Sequence, residues 1–127
     1  MVKHHQNYGF TLIELLVVMA IIATLLSLTM PRYFHSVDKS KEAALRADLN
    51  GMRDAIDKYF GDHAKYPDTL DDLVVNKYLR NIPPDPLTGS NLTWISVPPD
   101  GSEKGKVYDV RSGAQGAAGD GTLYGEW

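Results

Sequence analysis

The sequence predicts an α+β protein, in which one long N-terminal helix has a membrane-spanning first half and carries a small antiparallel β-sheet head on its second half. Three observations carry this reading. Phe10 to Met30 is an apolar run of 21 residues broken by a single charge, Glu14. Leu45, Leu49, Met52, Ile56 and Tyr59 then recur at steps of three and four, the spacing of one helix face. After Tyr66-Pro67 the helical period stops, and two short runs of strand composition follow among prolines and glycines.

At about 1.5 Å of rise per residue the apolar run reaches roughly 30 Å, the thickness of a bilayer's hydrocarbon core. A carboxylate inside such a segment costs about 2.5–3.5 kcal/mol on insertion scales, so Glu14 needs a partner. If the chain is cut after Gly9, the new α-amino group on Phe10 stands one turn from Glu14. The same amine on a neighbouring copy, displaced along an assembly axis, reaches the same depth and forms an ion pair between subunits. An ordinary secretory signal fits less well, because its small-residue cleavage site follows the apolar core, whereas Gly9 precedes it. Flanking charge does not orient the span, since Lys3 precedes it while Arg32, Lys39 and Lys41 follow.

Gly9-Phe10-Thr11-Leu12-Ile13-Glu14-Leu15, followed by the apolar run and by Pro31, resembles the class III signal of bacterial type IV pilins and type II secretion pseudopilins. The resemblance implies a pilin-like fold, cleavage between Gly9 and Phe10 by prepilin peptidase, and N-methylation of Phe10. It also implies that Glu14, as the fifth mature residue, governs subunit packing and that Pro31 interrupts the helix. The chain then divides into a leader (1–9), a transmembrane and filament-core helix (10–30), a helix stem and head-packing half (31–61) and a periplasmic head with a Gly-rich C-terminal loop (62–127).

What remains after the leader and the span is about a hundred residues, enough for one small domain. The formal charge of −3 carries no basic face for nucleic acid. The absence of cysteine excludes disulfides, thiolate metal sites and a Cys nucleophile. Type IV pilins commonly close a C-terminal loop with a disulfide, so within the resembled family this points toward a pseudopilin.

Past Pro31 the helix is expected to run to about Gly61, with a kink or melted segment at Pro31 on assembly and Gly51 as a weak point. Arg32 to Glu42 is mostly polar and reads as a solvated stem; the apolar stripe from Leu45 bears the head. Thr69-Leu70-Asp71-Asp72 resembles a capping arrangement that opens a short helix through about Asn76 or Lys77, apolar at Leu70, Leu73 and Val74. Pro83 to Gly89 is a stiff loop. Thr93–Val97 and Lys106–Val110 read as an antiparallel hairpin on the long helix, and the tail beyond is Gly-rich until Leu123-Tyr124.

The tail also resembles the C-terminal loop of the G-type pseudopilin, which binds calcium. Asp109 and Ser112 lie at its entry and Asp120 at its end. These three are the candidate ligands that the resemblance implies, although calcium takes six to eight hard oxygens and the family's paired acidic residues are here reduced to one. A glycine-rich loop folded by its own backbone and aromatic neighbours is the alternative.

His4 and His5 fall in the leader, and His35 and His63 stand singly on the long helix without ligand spacing. Asp71 and Asp72 suit a helix start better than paired catalytic carboxylates. Trp94, Tyr108, Tyr124 and Trp127 read as a small core or a filament contact. No catalytic constellation is visible, and no enzyme is expected.

The expected function is that of a structural subunit of a type II secretion pseudopilus. It is held in the bacterial inner membrane by one span, with the head in the periplasm, and assembles by its helix into a filament that pushes exported proteins through an outer-membrane channel. Implied partners are further copies of the chain, prepilin peptidase, an inner-membrane assembly platform, minor pseudopilins and, before assembly, membrane lipid. A type IV pilin for adhesion, motility or DNA uptake, and a non-assembling membrane-tethered binding module, are the alternatives.

Overall fold

The computed structural model describes residues 9–101 and 104–127; Lys3, His4, His5 and the rest of the leader before Gly9 lie outside the described residues. The elements are α1 (Leu12–His63), α2 (Asp71–Val75), β1 (Ile95–Val97), β2 (Asp109–Arg111) and a 3-10 turn (Tyr124–Glu126). The chain falls into two compact units, one up to Asp38 and one from Lys39 to Trp127.

In the first unit the apolar side chains are exposed all round, as at Leu12, Leu16, Leu25 and Leu28. A helix with that much bare apolar surface needs lipid or other helices around it. Three of its hydroxyls bond back to the helix itself. Thr24 donates to the Ala20 carbonyl and Ser27 to that of Ala23, both at 2.8 Å, and Thr29 reaches the Leu25 and Leu26 carbonyls at 3.2 and 3.1 Å. Such back-bonding is what an apolar surrounding demands of a hydroxyl. Pro31 lies inside α1, and its missing N–H leaves the Ser27 carbonyl without the usual donor one turn later.

In the second unit the predicted stripe is the core. Leu45, Leu49, Met52, Ala55, Ile56 and Tyr59 of α1 are buried, together with Leu73, Ile82, Trp94, Val107 and Val110. The helix ends at His63, with Ala64 in the left-handed region at φ 56° and its N–H bonded to the Phe60 carbonyl at 2.8 Å. The His63 ring stacks on Tyr59 at 4.1 Å. Tyr78 donates its hydroxyl to Asp62, and chiefly that bond lifts the phenol to about 12.

The capping arrangement of α2 forms around Thr69. Its hydroxyl accepts from the Asp72 N–H at 3.3 Å, while the Asp72 carboxylate accepts from the N–H groups of Asp68 and Thr69 at 3.0 and 3.3 Å. The helix is shorter than expected because Lys77 takes φ 66°. The Tyr78 N–H then bonds back to the Leu73 carbonyl at 2.8 Å and the Lys77 N–H to that of Val74 at 3.1 Å, a Schellman closure.

β1 and β2 pair antiparallel, with Ser96 opposite Val110. Both are shorter than the sequence suggests, and β2 begins at Asp109 rather than Lys106. The reason is a competing acceptor: the Lys106 and Val107 N–H groups bond to the Pro67 carbonyl at 3.1 and 2.9 Å. Trp94, expected in the first strand, turns its indole N–H to the Pro83 carbonyl at 2.7 Å and packs in the core.

Candidate functional site

Apart from Pro31, which lies inside α1, two segments carry the candidate residues: the start of α1 with the residues just before it, and the loop from Asp109 to Trp127. Phe10 and Thr11 precede the helix, which starts at Leu12 and not at Phe10. The cause is local: the Thr11 hydroxyl accepts from the Glu14 N–H at 3.1 Å, a capping bond that places Thr11 just outside the first turn. Thr11 and Glu14 thus have the spacing of a capping box, a local signal that is missed when Glu14 is taken only as an isolated charge. Glu14 stands in the first turn, where the helix dipole favours a negative charge, and it is exposed, as are Gly9 and Phe10. No Cβ-sized obstacle lies within 4 Å of Gly9.

On the α1 side, the C-terminal loop is fastened by side chains outside the set that the sequence singles out. Arg53 donates from Nε to Asp109 Oδ1 at 2.7 Å, and from Nη2 to the main-chain oxygens of Val110 at 3.0 Å and Trp127 at 2.6 Å. Arg46 lies over the Trp127 ring, 3.7 Å from its centre. Tyr124 donates its hydroxyl to Glu42 at 2.9 Å. Glu42, Arg46 and Arg53 share steps of four and seven along the helix, so they form one edge beside the apolar stripe. That periodicity is legible in the sequence; which tail atoms meet it is not.

Within the loop, Trp127 donates its indole N–H to Thr122 Oγ1 at 2.8 Å, and Thr122 donates its hydroxyl and its N–H to Asp120 Oδ1 at 2.6 and 3.0 Å. The hydroxyl bond is the main reason that the Asp120 carboxyl is held below the usual range, with the nearby Arg46 charge adding to it. Ser112, fully buried, donates to the equally buried Asp85 and accepts from the Ala114 N–H at 3.1 Å.

The three candidate calcium ligands are not brought together by these contacts. Each serves a different partner: Asp109 holds Arg53, Ser112 holds Asp85, and Asp120 holds Thr122. Among the described residues no group of three or more His, Asp or Glu side chains is placed to hold a metal ion. Calcium takes six to eight oxygens, carboxylates and carbonyls among them; with the three candidate side chains committed to separate partners and no acidic cluster among the described residues, the side chains of this loop do not fit that need.

A membrane-length helix preceded by the Gly9-Phe10 junction, capped at Thr11 and joined to a small α+β head, defines a pilin-like subunit. Residues 4–30 match the model of the prokaryotic N-terminal methylation motif. The chain is 31% identical to the type II secretion system core protein G of Pseudomonas aeruginosa, with 87% of this chain and 96% of that protein covered. To its counterpart from Vibrio cholerae it is 30% identical over 100% of this chain and 96% of that protein. The type IV major pilin protein PilA of Myxococcus xanthus is 31% identical, but the match covers 54% of this chain and 31% of the pilin. No solved structure matches significantly. The chain belongs to the family of the type II secretion system core protein G.

Proposed function

We propose that this chain is the repeating structural subunit of a type II secretion pseudopilus. The observation that carries the proposal is the apolar half of α1, exposed on all sides with one acidic group in its first turn. Such a surface is stable in lipid and, equally, in a bundle of its own copies, so the same segment serves as anchor and as filament core. In this reading prepilin peptidase cuts between Gly9 and Phe10 and the new Phe10 amine is methylated. The Glu14 carboxylate then pairs with the Phe10 amine of the neighbouring subunit, which removes the cost of a lone charge in an apolar bundle. Pro31 is the point where the helix gives way on entry. The head lies in the periplasm; an inner-membrane platform adds subunits at the base, minor pseudopilins complete the filament, and its growth pushes exported proteins outward. The work is mechanical.

Expression with prepilin peptidase tests this. The mature N-terminal peptide is expected to begin with methylated Phe10; an intact Met1 end, or a cut after the apolar run, would overturn the reading. Glu14→Ala is expected to leave the anchored monomer in the membrane and to stop filament formation, and a normal filament yield would sink the ion pair.

A further inference from the structure

We infer that the C-terminal loop is clamped by a cation built into the chain, the guanidinium of Arg53, and that the head holds this loop in place without calcium. The inference concerns the head alone and does not depend on filament assembly.

Three oxygens from two ends of the loop converge on this one group: Asp109 Oδ1 on Nε, and the main-chain oxygens of Val110 and Trp127 on Nη2. A loop whose entry and end are both fixed to one point is closed there, which is what a bound metal would otherwise do. Guanidinium suits the task because its donors lie in a rigid planar fork and its charge does not titrate. The site is half-buried, with the Arg53 and Asp109 side chains 30% and 25% exposed, so the charge-assisted bonds are partly sheltered from water. Asp109 Oδ1 also accepts from the Val110 N–H at 2.8 Å, which orients the carboxylate toward the arginine.

The geometry also opposes a metal. A dication brought to Asp109 would sit against the Arg53 charge, and one brought to Asp120 would meet Arg46, whose charge already acts on that carboxyl. Asp120 Oδ1 serves Thr122, which in turn accepts from Trp127, so this acid supports the loop's own hydrogen bonds. Arg46 over the Trp127 ring and Tyr124 on Glu42 add two further ties to α1 that need no ion.

The full chain in detergent micelles allows the test. Its thermal midpoint in about 1 mM calcium chloride and in excess chelator should agree to within about 1 °C, since a site filled at that concentration would raise the midpoint by linkage. Calcium alone should give no binding heat. Arg53→Gln is expected to speed protease cleavage between Ser112 and Trp127 about tenfold or more, as the loss of a charge-assisted bond implies, and calcium should not restore protection. Arg46→Gln, at an exposed side chain, should speed cleavage less. If Arg53→Gln does not fold, the calcium titration of the unaltered chain still decides. A calcium-dependent rise in midpoint or protection, a binding heat, or cleavage of a folded Arg53→Gln chain at the unaltered rate would each overturn the inference.

Discussion

Ser112 donates its hydroxyl to the carboxylate of Asp85, and the two residues, 27 apart in sequence, are 1% and 0% exposed. The bond joins the proline-rich loop to the start of the C-terminal loop. Asp85 Oδ1 also accepts from the Leu87 N–H at 2.8 Å, so the buried carboxylate has a donor on each oxygen. Ser112→Ala removes one of them and is expected to cost about 1.5–3 kcal/mol, the range for a hydrogen bond to a charged group. Urea unfolding of the full chain measures it. The double variant with Asp85→Asn should cost less than the sum of the two single changes, since the residues act on one another directly.

Two glycines hold positions where no side chain fits. A Cβ on Gly113 would overlap the Thr93 carbonyl oxygen, and one on Gly105, at φ 101°, would overlap the backbone of Tyr66. Both obstacles are backbone, so they do not swing aside. Alanine at either is expected to destabilise by about 2 kcal/mol or more. Gly51 is the opposite case: it lies within α1, and a Cβ added there would meet nothing within 4 Å. Gly51→Ala should stabilise the head by about 0.5–1 kcal/mol, and thermal unfolding would separate the three variants by sign.

The C-terminal closures of α1 and α2 both use non-glycine residues in the left-handed region, Ala64 at φ 56° and Lys77 at φ 66°. Each carries a steric penalty of roughly 1–2 kcal/mol that glycine avoids, offset in part by the greater freedom of glycine in the unfolded chain. Ala64→Gly and Lys77→Gly are therefore expected to stabilise by about 0.5–1 kcal/mol each. A loss of stability at Lys77 would mean that its side chain contributes more than its backbone costs.

Asp48 and Asp120 predict opposite pH behaviour. Burial first, and the Asp85 charge second, push Asp48 up, so the folded head holds its proton more tightly than the unfolded chain does. Asp48 therefore costs stability above its folded pKa, and the cost vanishes below the unfolded value near 4. Asp48→Asn is expected to stabilise by about 0.5 kcal/mol at pH 7, on the scale of a partly exposed charge contact, and to change nothing near pH 3. Asp120 is lowered by Thr122, so its contribution is present above the unfolded value and is lost as pH falls through the folded one. Asp120→Asn should lower stability at neutral pH, with the difference shrinking in acid. Unfolding curves of both variants between pH 3 and pH 7 read the two signs.

The class of this protein is written in its sequence. A membrane-length run with one acid after Gly9, the stripe from Leu45 to Tyr59 and the lack of cysteine are all properties of neighbouring residues, set by period, composition and length. Local rules suffice for those, and the stripe is the core that formed. The capping exchange at Thr69 is equally legible, because its partners lie three residues apart. The rest depends on which distant segments meet when the chain folds back. β2 starts at Asp109 because the Pro67 carbonyl, some forty residues earlier in the chain, takes the amides of Lys106 and Val107. Arg53 meets Asp109 and Trp127 across 56 and 74 residues, a meeting that commits Asp109 to α1 and leaves Ser112 and Asp120 to separate contacts. A charged side chain on a helix edge states that it needs a partner, but the tertiary fold chooses the partner, and no local pattern encodes that choice.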